Sequence, residues 1–138
     1  EELHAKLQKR FGDDRHMHIH GLVDNVPQLM HSADLFITKP GGLSTTEAAA
    51  CGLPMVLMDT VAGCEGHNLT FFLQRGGAVT ADTPRLLADT AMALLADPER
   101  LWAMSDALRS PDAQTPAEQI YDCLCRPQTR LDTAQRYA

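Results

Sequence analysis

The chain has 138 residues, of which 44% are hydrophobic and 22% are charged; this is typical of one globular domain over residues 1–138 and excludes a coiled coil or a disordered tail. No apolar run approaches the roughly 20 residues that a membrane-spanning helix needs. The net charge of −6, the absence of a basic stripe and an aromatic content of 5% argue against nucleic acid and anionic membrane surfaces as partners.

The pattern of apolar residues predicts helices and strands in alternation. Period-two alternation or short continuous apolar runs indicate strands, whereas apolar spacings of three and four, often behind a proline, indicate helices. In chain order, the sequence predicts a helix through Leu3, Leu7 and Phe11, a strand over 16–23, a helix over 27–33, a strand over 35–38, a helix over 44–50, a strand over 54–58, a helix over 68–75, a strand over 78–80, and helices over 84–95, 98–109 and 116–125. Such alternation is typical of an α/β fold with a partial Rossmann-like parallel sheet and helices on both faces.

Ligands of open α/β sheets bind in the loops that follow the carboxyl ends of the strands. Three loops qualify here, over residues 23–26, 39–43 and 59–68. In the middle loop, Gly41 and Gly42 let the backbone approach a ligand without a Cβ atom in the way. The helix that follows directs free N–H groups and its positive dipole end at the same place, which predicts a phosphate site.

Glu47 has two interpretations from spacing alone. Ser44 and Glu47 are three residues apart at a helix start, and this spacing is typical of a capping box in which both side chains bind backbone N–H groups. Alternatively, the carboxylate of Glu47 accepts two hydrogen bonds from vicinal hydroxyls, as on a ribose.

The cysteines and histidines do not predict a metal site. Cys51, Cys64, Cys123 and Cys125 contain no CxxC pair, and the three histidines of the predicted first strand lack a third type of ligand nearby. We expect free thiols in a reducing cytoplasm. The chain opens with acidic residues, without a signal peptide or an initiating Met, so we expect a piece of a longer protein.

Five segments match a known family: GLVDNVP at 21–27, SADL at 32–35, KPGGLSTTEA at 39–48, GLP at 52–54 and GCEGHN at 63–68. Through them, residues 21–79 resemble the carboxy-terminal, sugar-nucleotide-binding domain of GT-B glycosyltransferases. The likeness is strongest to monogalactosyldiacylglycerol synthases and to the N-acetylglucosaminyltransferase that completes lipid II. The helical tail fits in kind but not in sequence.

The resemblance implies inverting transfer of a hexose from a UDP-sugar, in the making of a glycolipid, with no cofactor besides this substrate. The residues implied to bind the nucleotide-sugar are Val23, Gly41, Gly42, Leu43, Ser44, Thr45, Glu47, Glu65 and Asn68. Val23 would contact the uracil through its backbone, and the turn that begins at Gly41 would hold the diphosphate. Glu47 would bind the ribose hydroxyls and would also cap the start of its helix. Glu65 and Asn68 would lie along the donor sugar or the diphosphate. Lys39 and Thr45 would be further neighbours of the phosphates.

The chain departs from the family pattern in two respects. Cys64 stands where the family usually has Gln or another polar residue, which leaves the donor sugar open. A complete domain of this type begins with a strand, a Gly-rich loop, a helix and another strand, and none of these is present. The amino-terminal acceptor domain, which supplies the catalytic base, is also missing. We therefore expect an inactive fragment without catalytic residues, whose parent contacts membranes through its other domain.

The missing strands leave an open edge on the predicted strand near residues 34–38, which favours a rearranged sheet or pairing with another chain as a homo-oligomer. Two alternatives to the transferase half remain at this point. A UDP-sugar 2-epimerase shares the architecture, with its catalytic carboxylates outside this segment. A non-catalytic subunit could instead bind nucleotide-sugar and recruit a partner chain that carries the acceptor site.

Overall fold

The computed structural model of the chain describes residues 1–58, 63–109 and 116–125. Its elements are α1 (Glu2–Phe11), α2 (Val26–Ser32), β1 (Phe36–Thr38), α3 (Gly42–Ala50), β2 (Met55–Met58), α4 (Cys64–Gln74), β3 (Ala78–Ala81), α5 (Pro84–Leu95), α6 (Pro98–Arg109) and α7 (Pro116–Cys125). The last three helices have the predicted bounds, because proline fixes φ in a helical range and needs no hydrogen-bond acceptor in the first turn. None of the helices in the described ranges is both long and apolar enough to cross a bilayer.

The sheet confirms the predicted α/β architecture. Its three described strands are parallel in the order β1-β2-β3, with Ile37 level with Val56 and Val56 level with Val79. Each connection between neighbouring strands carries a helix, as parallel pairing requires. In the described sheet β1 pairs only with β2, so the open edge predicted near residues 34–38 is present and the strand order is not rearranged.

Helices cover both faces of the sheet, as predicted. Met55 and Leu57 on β2 are buried in a cluster with Phe72 of α4 and Ala48 of α3. Val56, between them on the same strand, points to the other face and is buried with residues of α5 and α6. Successive side chains of a strand alternate between faces, so β2 serves two separate apolar layers.

The strand predicted over residues 16–23 is wrong. The segment between α1 and α2 forms turns and irregular backbone, with Met17 exposed and Ile19 half-buried. Alternating apolar and polar residues specify a strand only when a neighbouring strand accepts its backbone hydrogen bonds. The described sheet offers this segment no neighbour, so the alternation does not produce a strand.

Helix α6 packs against the core through Met104 and Leu108 and not through Trp102. Met104 and Leu108 are buried, whereas Trp102 is 79% exposed. Met104 and Leu108 are four residues apart and share one helix face, but Trp102 lies two residues before Met104 and therefore on the opposite side of α6.

Candidate functional site

The candidate site lies at the carboxyl ends of β1 and β2, where the start of α3 and the start of α4 meet. Two contacts join these segments. Lys39 Nζ is 2.7 Å from Glu65 Oε1, and Asn68 Nδ2 donates a hydrogen bond of 3.1 Å to the Pro40 carbonyl. The structure thus brings together two of the three loops that sequence position alone had marked as candidates.

The first turn of α3 presents backbone N–H groups that no side chain of the described residues caps. Gly41 is the N-cap residue in an extended conformation, with φ −74° and ψ 136°, and makes no capping side-chain hydrogen bond. The first amides of a helix have no acceptor within the helix, so they remain available to an anion, which the helix dipole also attracts. A Cβ atom added to Gly42 would lie 3.6 Å from Asn68 Nδ2, so α4 approaches this turn closely.

Thr45 and Thr46 fix the shape of the turn. Thr45 is fully buried, and its hydroxyl donates a 2.7 Å hydrogen bond to the Gly41 carbonyl. Thr46 donates a 2.6 Å hydrogen bond to the carbonyl of Gly42. Both hydroxyls therefore donate to backbone oxygens. These hydrogen bonds stabilise the turn in the conformation that leaves its first amides open.

The predicted capping box of Ser44 and Glu47 is wrong. Helix α3 begins at Gly42, so Ser44 already lies inside its first turn and Gly41 occupies the N-cap. Gly41 and Gly42 were expected to form a loop, but Gly41 is the N-cap residue and Gly42 is the first residue of the helix. Glu47 is exposed, and within the described residues its carboxylate joins no ion pair and accepts no hydrogen bond.

Glu65 lies on a helix, not in the loop that was predicted over residues 59–68. Helix α4 begins at Cys64, which places Glu65 in its first turn, where a negative charge is stabilised by the dipole. Glu65 and Asn68 are three residues apart and therefore share one face of α4. Both face the loop that follows β1, as their contacts with Lys39 and Pro40 show. The rest of the predicted loop, residues 59–62, lies outside the described residues.

Val23 and Leu43 have different surroundings. Val23 lines a shallow depression together with Leu22, Asp24 and Asn25, and no residue of α3 or α4 contributes to that lining. Leu43, in the first turn of α3, directs an 83% exposed side chain to solvent. Of the predicted residues, those on α3 and α4 come together, whereas Val23 lines a different depression.

A second cavity, of about 370 Å³, lies at the opposite, amino end of the strands. Cys51 Sγ is 3.4 Å from His31 Nδ1 on its wall, and Ser105 Oγ donates a 2.6 Å hydrogen bond to the Gly52 carbonyl. No sequence motif marks this cavity, because His31 lies on α2 whereas Cys51 is the C-cap residue that follows α3. Across the described part of the chain, no three His, Cys, Asp or Glu residues are grouped to hold a metal ion.

Comparison with known proteins finds a family that matches this chain. Residues 1–97 match the family model described as glycosyl transferases group 1. The chain belongs to this glycosyltransferase family. The resemblance inferred from the KPGG segment at 39–42 and its neighbours is therefore confirmed at the level of the family, and a transferase parent is favoured over an epimerase.

Three relatives of this glycosyltransferase chain bear the name processive diacylglycerol beta-glucosyltransferase. The protein of Bacillus licheniformis is 35% identical over 100 residues, covering 72% of this chain and 26% of the relative. The protein of Bacillus subtilis is 29% identical over 132 residues, covering 96% of this chain and 34% of the relative. A protein of Bacillus cereus is 37% identical over 107 residues, covering 77% and 27%. The chain thus spans about a quarter to a third of the length of these relatives.

Proposed function

We propose that this chain is the donor-binding portion of an inverting glycosyltransferase that moves a hexose from a UDP-sugar to a lipid. The names of the relatives favour glucose as the hexose and diacylglycerol as the acceptor. The observation that carries the proposal is the start of α3: a glycine pair precedes amides that no described side chain caps, and Glu47, one turn further along, has no partner among the described residues.

The diphosphate would bind to the N–H groups at the start of α3. Gly41 and Gly42 place no side chain over these amides. The buried Thr45 stabilises the turn through the hydrogen bond that its hydroxyl donates to the Gly41 carbonyl. Hydrogen bonds from backbone amides to phosphate oxygens are charge-assisted and are about twice as strong as neutral ones. The preformed turn binds the two phosphates without reorganising, which also favours the leaving diphosphate during transfer.

The ribose would bind to Glu47. Its carboxylate has two acceptor oxygens and no partner among the described residues, so both oxygens are free for the two hydroxyls of a ribose. Glu47 follows the first turn of α3, which places it beside the phosphates bound there. The backbone of Val23 would contact the uracil, and Glu65 with Asn68 would lie along the sugar.

The transfer step itself needs groups that lie outside this chain. An acceptor hydroxyl attacks C1 of the sugar from the face opposite the diphosphate and forms the new C1–O bond. The bond between C1 and the diphosphate oxygen breaks, and its electron pair leaves with UDP. The proton of the hydroxyl passes to a base that we assign to the amino-terminal acceptor domain. This chain contributes position and stabilisation of the leaving group.

Nucleotide binding to the full-length parent protein tests the donor site. Calorimetric titration with UDP, ADP and GDP should show a preference for UDP, and Glu47→Ala should weaken UDP binding at least about 150-fold, the equivalent of about 3 kcal/mol for two charge-assisted hydrogen bonds. Glu99→Ala is the matched control, since Glu99 is an exposed glutamate on α6, away from the site. Equal affinity for all three nucleotides, or an unchanged Glu47→Ala variant, would contradict the proposal.

Product analysis tests the reaction. The full-length protein is incubated with UDP-glucose and diacylglycerol vesicles, and the anomeric configuration of the product is determined by NMR. Because the donor carries an α linkage, an inverting enzyme gives a β-glucosyl lipid. An α-linked product would refute the inverting mechanism, and free glucose without a glycolipid would refute the lipid acceptor.

A further inference from the structure

We propose that Lys39 is a positioning residue that holds and neutralises Glu65 beside the donor diphosphate, and is not itself a phosphate ligand. This inference rests on the proposed function, because it assigns roles within the same donor site. Sequence and family resemblance placed Lys39 next to the phosphates and Glu65 along the donor. The structure pairs the two residues with each other.

The ion pair connects two separate segments of the site. Lys39 directly follows β1 and Glu65 lies in the first turn of α4, 26 residues further along the chain, with 2.7 Å between Nζ and Oε1. The lysine stem passes over the turn, since a Cβ atom added to Gly41 would lie 3.7 Å from Lys39 Cε. The hydrogen bond from Asn68 to Pro40 joins the same segments, so Glu65 is held at a defined distance from the open amides of α3.

This pair differs from two other ion pairs of the described residues. Lys6 with Glu2 and Arg85 with Asp89 are neighbours four residues apart on one helix. The pair of Lys39 and Glu65 is long-range, yet the side chains are 64% and 37% exposed. Exposed pairs contribute little to folding stability. A long-range pair at a ligand-binding edge is therefore better explained by its effect on the ligand.

The effect follows from the charges involved. A diphosphate at the start of α3 is an anion, and an unpaired carboxylate on the neighbouring helix would repel it. The ammonium group of Lys39 cancels this repulsion while leaving Glu65 Oε2 available for a sugar hydroxyl. Lys39 thus allows a negatively charged sugar-binding residue to stand beside a negatively charged leaving group.

A charge-pair cycle in the full-length protein tests the inference, with UDP affinity measured by calorimetry. Lys39→Met should weaken UDP binding about tenfold, equal to about 1.4 kcal/mol, because it leaves Glu65 unpaired. The double variant Lys39→Met/Glu65→Gln should return to within about twofold of the wild type, because the repelling charge is gone. The matched control is Lys6→Met, which breaks a pair of the same 2.7 Å length on α1 and should change nothing.

Each other outcome overturns the inference. If the double variant binds UDP as weakly as Lys39→Met, then Lys39 contacts the phosphates directly. If Lys39→Met is unchanged, the pair has no role in donor binding. In both cases the wild type still binds UDP and the proposed donor site stands, whereas a wild type that binds no UDP overturns both proposals. In steady-state kinetics with UDP-glucose, Lys39→Met should raise the donor KM, and its melting temperature should match the wild type, which separates charge neutralisation from a loss of folding.

Discussion

Gly42→Ala separates ligand binding from folding at the start of α3. The added methyl group would lie 3.6 Å from Asn68 Nδ2, an ordinary van der Waals distance, so the folded protein has room for it. Gly42 does not have a positive φ, and alanine has a higher helix propensity than glycine. We therefore expect the melting temperature of Gly42→Ala to equal or exceed that of the wild type.

Donor binding should respond in the opposite direction. The Cα–Cβ bond of a helical residue tilts towards the helix N-terminus, so the methyl group of Gly42→Ala points into the space in front of the open amides. A phosphate oxygen that binds these amides must lie about 2.9 Å from a nitrogen, which the methyl group prevents for at least one of them. Losing one charge-assisted hydrogen bond costs about 1.5–3 kcal/mol, which corresponds to a UDP affinity about 10- to 150-fold weaker.

Two measurements on the full-length protein check this reasoning: calorimetric UDP affinity and melting temperature by scanning calorimetry. Gly21→Ala is the control, since a Cβ atom there meets nothing within 4 Å and Gly21 lies outside α3 and α4. A Gly42→Ala variant that melts earlier than the wild type would show that the turn is tighter than described. A stable variant with unchanged UDP affinity would refute the placement of the diphosphate at α3.

Three further substitutions test the fold. Gly52→Ala should destabilise the protein by about 1–2 kcal/mol in urea unfolding, because Gly52 has a φ of 65° and the new Cβ atom would overlap the side chain of Arg109. Leu57→Ala should cost about 2–5 kcal/mol in the same assay, since Leu57 is fully buried, whereas Leu43→Ala at the exposed start of α3 should change stability by less than about 0.5 kcal/mol. Ile37→Lys, on the edge strand β1, should reduce any self-association of this 138-residue chain in light scattering, and an oligomer of unchanged mass would show that β1 is not the contact.

The elements that the sequence predicted well are those with strong local signals. Helices α5, α6 and α7 begin at prolines, and their predicted bounds are correct. The prediction of a strand over residues 16–23 was wrong, because a strand needs a neighbouring strand to pair with and the sequence of the segment does not show whether one is present. Helix α4 begins four residues before the predicted start, since the glycines at 63 and 66 indicated a loop, whereas Gly63 precedes the helix and Gly66 lies within it. Local signals thus predicted the type of most elements but not every boundary.

The candidate site was predicted in outline, and its contacts were not. Parallel strands end at a common edge, so chain order alone was enough to expect the loop after β1 and the start of α4 to be neighbours. That Lys39 pairs with Glu65, and that Asn68 binds the carbonyl of Pro40, depends on how closely the two helices approach. The role of Glu47 changed for a similar reason, because a shift of two residues in the start of α3 removes the capping box.

The position of β1 in the sheet has a consequence for the dynamics of the site. Strand β2 is paired on both sides, and Met55, Val56 and Leu57 are fully buried, so its amides should exchange with solvent only in the rarest openings. Strand β1 has three residues, one described neighbour and a 45% exposed Ile37, so it should open more often. Half of the candidate site follows this less protected strand, and the other half follows the central one. A ligand that binds both halves would therefore slow hydrogen exchange in β1 without contacting any residue of that strand.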